Sequence, residues 1–374
     1  MSKNRLEEID ILRGIAFLAV VLQHVIAGLF YLPNINAESI TLGTVLLAAI
    51  RFAVPLFVFI TGVVLFYNYD RKINYKSFIK KRFVQVIVPY IIWTIFYFVW
   101  IKFLFGITTL GTWNALKEIG ISLITGTGNY HLWFMVMIIP FYFLFPFFKI
   151  IISKDKKFSW NLTMLIVFLV FNFFLLYLLS KGSFSNFSPK VSFITNYLDR
   201  NSVFWVFYFV FGGFVGVYYK QFIVFVKKIK FLNLLIWIVS IFLIYKKITE
   251  INKTETINNY LLSANITSPL DPIMYPFLIS SILLVFWVSH IICNKMMKLS
   301  KLLNVFGKYS FGGYLIHAFV LKFTNDYVIQ FIGDFNIYLL TIVSFTLCST
   351  ISVVCCILIS KIKIPLGESI VGKI

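Results

Sequence analysis

Apolar residues run in long blocks along this chain, and polar positions gather in the short segments between them. A membrane crossing needs roughly 20 mostly apolar residues. Ten segments are of that kind: residues 9–30, 44–68, 83–105, 131–152, 160–180, 203–219, 229–246, 272–293, 309–325 and 337–361. The shortest, 203–219, carries Gly212, Gly213 and Gly216, and the ninth has a polar interruption from Ser310 to Gly313. The pattern predicts an all-α polytopic membrane protein, a bundle of about ten transmembrane helices, with residues 1–374 as one domain.

Composition agrees. The chain is 60% hydrophobic and 13% charged, half the charged share of about 25% in soluble domains. No segment reads as a soluble catalytic domain, so any chemistry belongs inside the bilayer or at its edge. A net charge of +20 would suggest nucleic acid in a soluble protein. Its distribution points elsewhere. With ten spans, the side holding the N-terminus carries 23 of the 34 Lys and Arg residues and the other side seven, alternating loop by loop. Basic residues crowd the cytoplasmic face of membrane proteins, so both termini are expected there, near anionic lipid, with no nucleic-acid partner. The first segment follows Glu7, Glu8 and Asp10, lacks a small-residue cleavage site and is expected to stay as a helix. All four cysteines sit in or at the ends of spans, which predicts no disulfide framework in the exterior loops. Four dispersed histidines, with no Cys or His pair at ligand spacing, predict no metal.

An ionisable side chain at a helix centre costs roughly 2.5–3.5 kcal/mol on insertion scales, so the few present are functional candidates. In LRGIAFLAVVLQH, Arg13 and His24 are eleven steps apart. At 100° and 1.5 Å per step they share a face to within about 20° and differ in depth by roughly 16 Å. Arg13 can alternatively snorkel to headgroups while His24 makes one interhelical hydrogen bond. Arg51 falls in the outer third of the second span, at about the depth of His24, and Pro55 and Gly62 beyond it allow a bend and a close helix approach. Tyr314 and His317 are three apart on one helix face; His131 and Trp133 sit at the outer mouth of the fourth span, where interfacial packing is the alternative reading. His290 has no companions in the sequence and reads as structural. Before the third span, RKINYKSFIKKRFVQ gathers six basic residues, Lys80, Lys81 and Arg82 among them. Lipid anchoring explains most such clusters; a phosphorylated ligand is the other candidate.

Five motifs in order, LRGIAFLAVVLQH, RFAVPLFVFITG, SFIKKRFVQVIVPY, HLWFM and YSFGGYLIH, resemble the acyltransferase-3 family of integral membrane O-acyltransferases over essentially the whole chain. The resemblance implies a ten-helix bundle in a bacterial cell membrane. It would take an acyl group, commonly acetyl, from cytosolic acyl-coenzyme A to a hydroxyl of a cell-surface or lipid-linked glycan. The family's paired residues of the first helix map onto Arg13 and His24. Its two arginines three apart before the third helix meet a departure, because Arg82 is followed at that spacing by Gln85. Some members carry an additional C-terminal esterase-like domain, which is not expected here.

Transfer from a thioester to a hydroxyl needs a base for the hydroxyl proton and donors for the oxyanion. His24 is the candidate base, its unperturbed pKa of about 6.5 suiting neutral pH, with acyl relay through the same ring as a variant. Lys80, Lys81 and Arg82 are expected to hold the nucleotide end of coenzyme A, with its pantetheine arm passing Arg13. Arg51, Tyr314 and His317 are candidates for the oxyanion or acceptor, and His131 with Trp133 for a sugar-stacking mouth. A transporter or flippase for a polysaccharide or lipid-linked sugar would equally use buried Arg and His. A passive scaffold is the third reading.

Overall fold

The computed structural model describes residues 6–30, 37–69, 73–106, 111–183, 197–252, 267–332, 337–362 and 370–371. The helices are α1 (Glu7–Leu29), α2 (Ala37–Ile50), α3 (Ala53–Asn68), α4 (Tyr75–Arg82), α5 (Val88–Leu104), α6 (Thr112–Thr125) and α7 (Trp133–Ile151). They continue with α8 (Phe158–Ser180), α9 (Val206–Val217), α10 (Tyr219–Asn252), α11 (Met274–Lys295), α12 (Met297–Lys308), α13 (Ser310–Ile332) and α14 (Ile337–Lys361).

All ten predicted segments fall on helix. Among the described residues seven stretches have the length and apolarity to cross a membrane: Glu7–Gly28, Glu38–Asn68, Tyr75–Leu104, Trp133–Ile151, Phe158–Ser180, Met274–Lys295 and Ile337–Lys361. The other three predicted spans fall on α9, which has 12 residues, and within α10 and α13. The polar interruption at Ser310 is the first turn of α13, whose hydroxyl donates to Gly307 O at 2.9 Å. The chain is an all-α polytopic membrane protein, and α8 shows the lipid setting most plainly. Its buried side chains include Asn161 and Asn172, while Ile166, Val170, Phe171 and Phe174 lie exposed. The Asn172 amide donates to Phe204 O at 2.9 Å and that of Asn161 to Ser153 O at 2.8 Å. A helix with polar residues inside and apolar ones outside is stable only where hydrocarbon surrounds it.

Glycines set the closest helix crossings. A Cβ on Gly62 or Gly212 would overlap the backbone oxygens of Phe209 and Phe59, and one on Gly216 would lie 2.6 Å from Val63 O. The glycines that make 203–219 look like a weak span therefore mark where α9 lies backbone to backbone on α3. Small residues of this kind substitute for a hydrophobic driving force between membrane helices. Gly14 and Gly307 similarly bring α12 against α1, with a Gly307 Cβ overlapping Asp10 O. The amphipathic α6 and α12 lie outside the ten predicted spans, because helices this short do not stand out in a search for crossings.

The expected bend in the second span is a break. Helix α2 ends at Ile50, residues Arg51 and Phe52 form a turn, and α3 starts at Ala53. Pro55 explains the location: its ring collides with the carbonyl four residues earlier, that of Arg51, and it has no N–H to offer. The same proline rule accounts for the turn of π-helix at Phe83–Ile87 that links α4 to α5, since Pro89 follows directly within α5.

Candidate active site

Two cavities meet within the bundle. The first, of about 760 Å³, lies toward the N-terminal end of α1, with Arg13, Arg82, Thr61, Tyr142 and Ser310 set among apolar walls. The second, of about 980 Å³, is lined by Gln23, His24, Arg51, His131, Trp133 and Asp199 together with Trp205 and Ser268. Phe57, Phe134 and Tyr314 line both and form the partition between them.

The helical arithmetic for Arg13 and His24 holds: both lie on the uninterrupted α1, each facing a different cavity. Arg13 Nη1 donates to Asp10 Oδ1 at 3.2 Å, one turn below. Among the described residues of the basic cluster, Arg82 alone reaches the first cavity; Lys80 and Lys81 are exposed on α4 and line neither cavity. The Arg82 guanidinium lies 5.4 Å from the Phe78 ring centroid, 5.5 Å from Tyr142 and 6.0 Å from Tyr69. Those faces attract a cation and keep the head group away from bulk solvent. Gln85, which stands where the family pattern has arginine, accepts from Arg82 Nη1 at 3.5 Å, the outer limit of a hydrogen bond. It turns Arg82 and supplies no second positive charge.

At the second cavity, the break after Ile50 leaves a carbonyl without its intrahelical donor, and the side-chain amide of Gln23 donates to it. Gln23, one residue before His24, thus anchors the turn that presents Arg51 to the same cavity.

The histidines converge more than the sequence suggests. His24 stacks on His317 with centroids 5.2 Å apart at 29°, and its other neighbour is Tyr130 at 4.7 Å. His131 meets His317 edge-on at 4.8 Å. His131 is 1% exposed. It lines the second cavity and packs among Tyr97, Tyr314 and His317, with Nε2 3.3 Å from Leu315 O. Tyr314 and His317 do not satisfy one another's side chains: the Tyr314 hydroxyl donates to His131 O, while His317 Nδ1 lies 2.6 Å from Tyr314 O. His317 is fully buried and lines neither cavity, so it is not placed to touch an acceptor. Trp133 does face the cavity, beside Trp205 at 5.8 Å.

Sequence reasoning missed Tyr97, Tyr130, Trp205 and Asp199. Tyr97 is fully buried, donating to Leu315 O at 2.7 Å and accepting from Phe319 N at 3.3 Å. Its signal is the seven-residue spacing from Tyr90 on one face of α5. Asp199 lies at the mouth of the second cavity, where partial burial pushes its carboxyl up and neighbouring Arg200 pulls it back. Its backbone oxygen accepts from Trp205 Nε1 at 2.9 Å. His290 is not isolated either, with Nδ1 3.3 Å from Glu8 Oε1, which agrees with a structural role for it. Among the described residues no His, Cys, Asp and Glu side chains form a group able to hold a metal.

One cavity thus offers guanidinium groups for an anionic ligand. The next offers two imidazoles and a further guanidinium, and Phe57, Phe134 and Tyr314 stand between them. Comparison with curated proteins and with solved structures finds no match. A family model described as an acyltransferase domain matches residues 6–361.

Proposed function

Because the chain belongs to the acyltransferase-3 family and is a membrane acyltransferase, we propose that it moves an acyl group, acetyl first, from acyl-coenzyme A to a hydroxyl of a cell-surface or lipid-linked glycan. The observation that carries this reading is the pair of cavities meeting at Phe57, Phe134 and Tyr314, cationic on one side and histidine-bearing on the other. The loop-by-loop excess of Lys and Arg supports an orientation with the first cavity toward the cytoplasm and the second toward the outside.

In this reading the phosphates of the donor rest near Arg82 and Arg13, and the thioester reaches the partition. Lys80 and Lys81 contribute attraction at the surface. The acceptor enters the second cavity, its sugar ring against Trp133 and its hydroxyls near Asp199 and Arg51. The acceptor oxygen attacks the thioester carbonyl carbon while its proton passes to His24. Arg51 faces the tetrahedral oxyanion, a role in which a preorganised donor typically contributes about 10²–10³ in rate. The C–S bond then breaks, and the coenzyme A thiolate takes the proton from the His24 imidazolium, leaving an ester and free coenzyme A. No metal enters any step.

Steady-state kinetics on both substrates tests the division of labour. Arg82→Gln should raise KM for acyl-coenzyme A by about tenfold, a loss of about 1.4 kcal/mol, and leave the acceptor KM unchanged. Arg51→Leu should lower kcat. An Arg82→Gln effect confined to the acceptor would put the donor site elsewhere.

A further inference from the structure

A catalytic histidine needs its ring held at a fixed angle, and a hydrogen bond from one nitrogen to a carboxylate is the familiar solution. Among the described residues the second cavity offers His24 nothing of that kind. The carboxylate among its described lining residues, Asp199, stands at the mouth, half-exposed beside Arg200. His24 instead neighbours two rings, Tyr130 at 4.7 Å, tilted at 55°, and His317 at 5.2 Å. The His317 plane is nearly parallel to it, at 29°.

His317 is well placed to orient another group. It is fully buried, and Nδ1 at 2.6 Å from Tyr314 O fixes both the ring plane and the tautomer, with the proton on Nδ1. Its Nε2 has no hydrogen-bond partner among the described residues, so nothing there pulls the ring out of the stack. His131 packs edge-on against His317 at 4.8 Å, and Tyr314 is tied to His131 in turn. The face His317 presents to His24 is that of an aromatic ring stacked at 29°.

We propose that His317 is a positioning residue for the reaction, holding the His24 ring at its working angle by face-to-face contact in place of a hydrogen-bonded carboxylate. This rests on the reading of His24 as the base. It predicts that the ring face, and not the hydrogen-bonding capacity, of residue 317 sustains turnover.

Two substitutions separate those properties in the full-length protein, purified in detergent and checked by size exclusion. His317→Phe keeps a ring and loses the Nδ1 bond; His317→Gln keeps a donor for Tyr314 O and loses the ring. His317→Gln should lower kcat by about tenfold or more with KM for acyl-coenzyme A unchanged, and His317→Phe should return kcat to within about threefold of wild type. Equal kcat in the two variants, whether high or low, overturns the proposal, as does a more active His317→Gln. His24→Ala, assayed alongside, distinguishes the two levels of the account. If it stays active the base assignment fails; if it is inactive while the residue 317 variants are equal, the positioning role alone fails.

Discussion

Substituting Gly212 by alanine adds one methyl group where α9 lies backbone to backbone on α3 and tests whether the α3–α9 contact holds the site together. The added Cβ would lie 2.9 Å from both the carbonyl carbon of Phe59 and the nitrogen of Val63, and would overlap the Phe59 oxygen. All three are backbone atoms, so no side chain can swing away, and α3 and α9 must separate by roughly 1 Å or more to restore van der Waals contact. Overpacking of this kind typically costs about 1–3 kcal/mol. Because α3 also carries Phe57 and Thr61 into the cavities, kcat should fall with stability. Gly120→Ala is the control, since a Cβ there meets nothing within 4 Å and alanine is the better helix former by up to about 1 kcal/mol. Thermal unfolding in one detergent, followed by tryptophan fluorescence, should show Gly212→Ala lower by roughly 2 °C or more, with Gly120→Ala unchanged or higher. A Gly212→Ala protein with wild-type Tm and kcat would refute the argument from helix contact.

Three further outcomes follow from the geometry. Gln23→Leu removes the donor to Ile50 O at the break; interhelical hydrogen bonds in membranes are worth about 0.6–1.7 kcal/mol, so Tm should drop modestly while kcat falls as the Arg51 turn loosens. Pro55→Ala removes the ring that disfavours helix at Arg51 and should draw α2 and α3 toward continuity, which a spin-label distance across residues 45 and 60 would register as a lengthening. Lys81→Gln should change KM for acyl-coenzyme A less than Arg82→Gln, because Lys81 is exposed and only Arg82 lines the first cavity.

Much of this architecture was legible from hydropathy, since a helix in lipid must be apolar over a fixed length whatever its neighbours. The shared face of Arg13 and His24 was legible too, because α1 is uninterrupted and helical geometry needs no tertiary information. The break at Arg51 was half-legible. Pro55 was seen, but a proline acts on the carbonyl four residues before it, and the bend was sought at Pro55 and beyond. The histidine cluster was not legible, since His24, His131 and His317 come from α1, the turn before α7, and α13, and their meeting depends on helix order around the bundle. The burial of His131 escaped for a related reason: apolarity places a residue along the membrane normal but not around the helix axis. Asp199 and Trp205 lie in 3₁₀ turns before α9, where no periodic pattern singles them out.

The most direct test of acyl transfer through His24 uses membranes containing wild-type protein or the His24→Ala variant at matched abundance. They would be incubated with acyl-labelled coenzyme A and extracted surface glycans. The account predicts alkali-labile label on the glycan with wild-type membranes and at least a hundredfold less with His24→Ala, the lower end of the about 10²–10⁴ that general base catalysis contributes. Equal labelling in the two samples would contradict the base assignment. No label in either, across several acyl donors and glycan fractions, would contradict transfer to a glycan and make export of unmodified glycan the next assay.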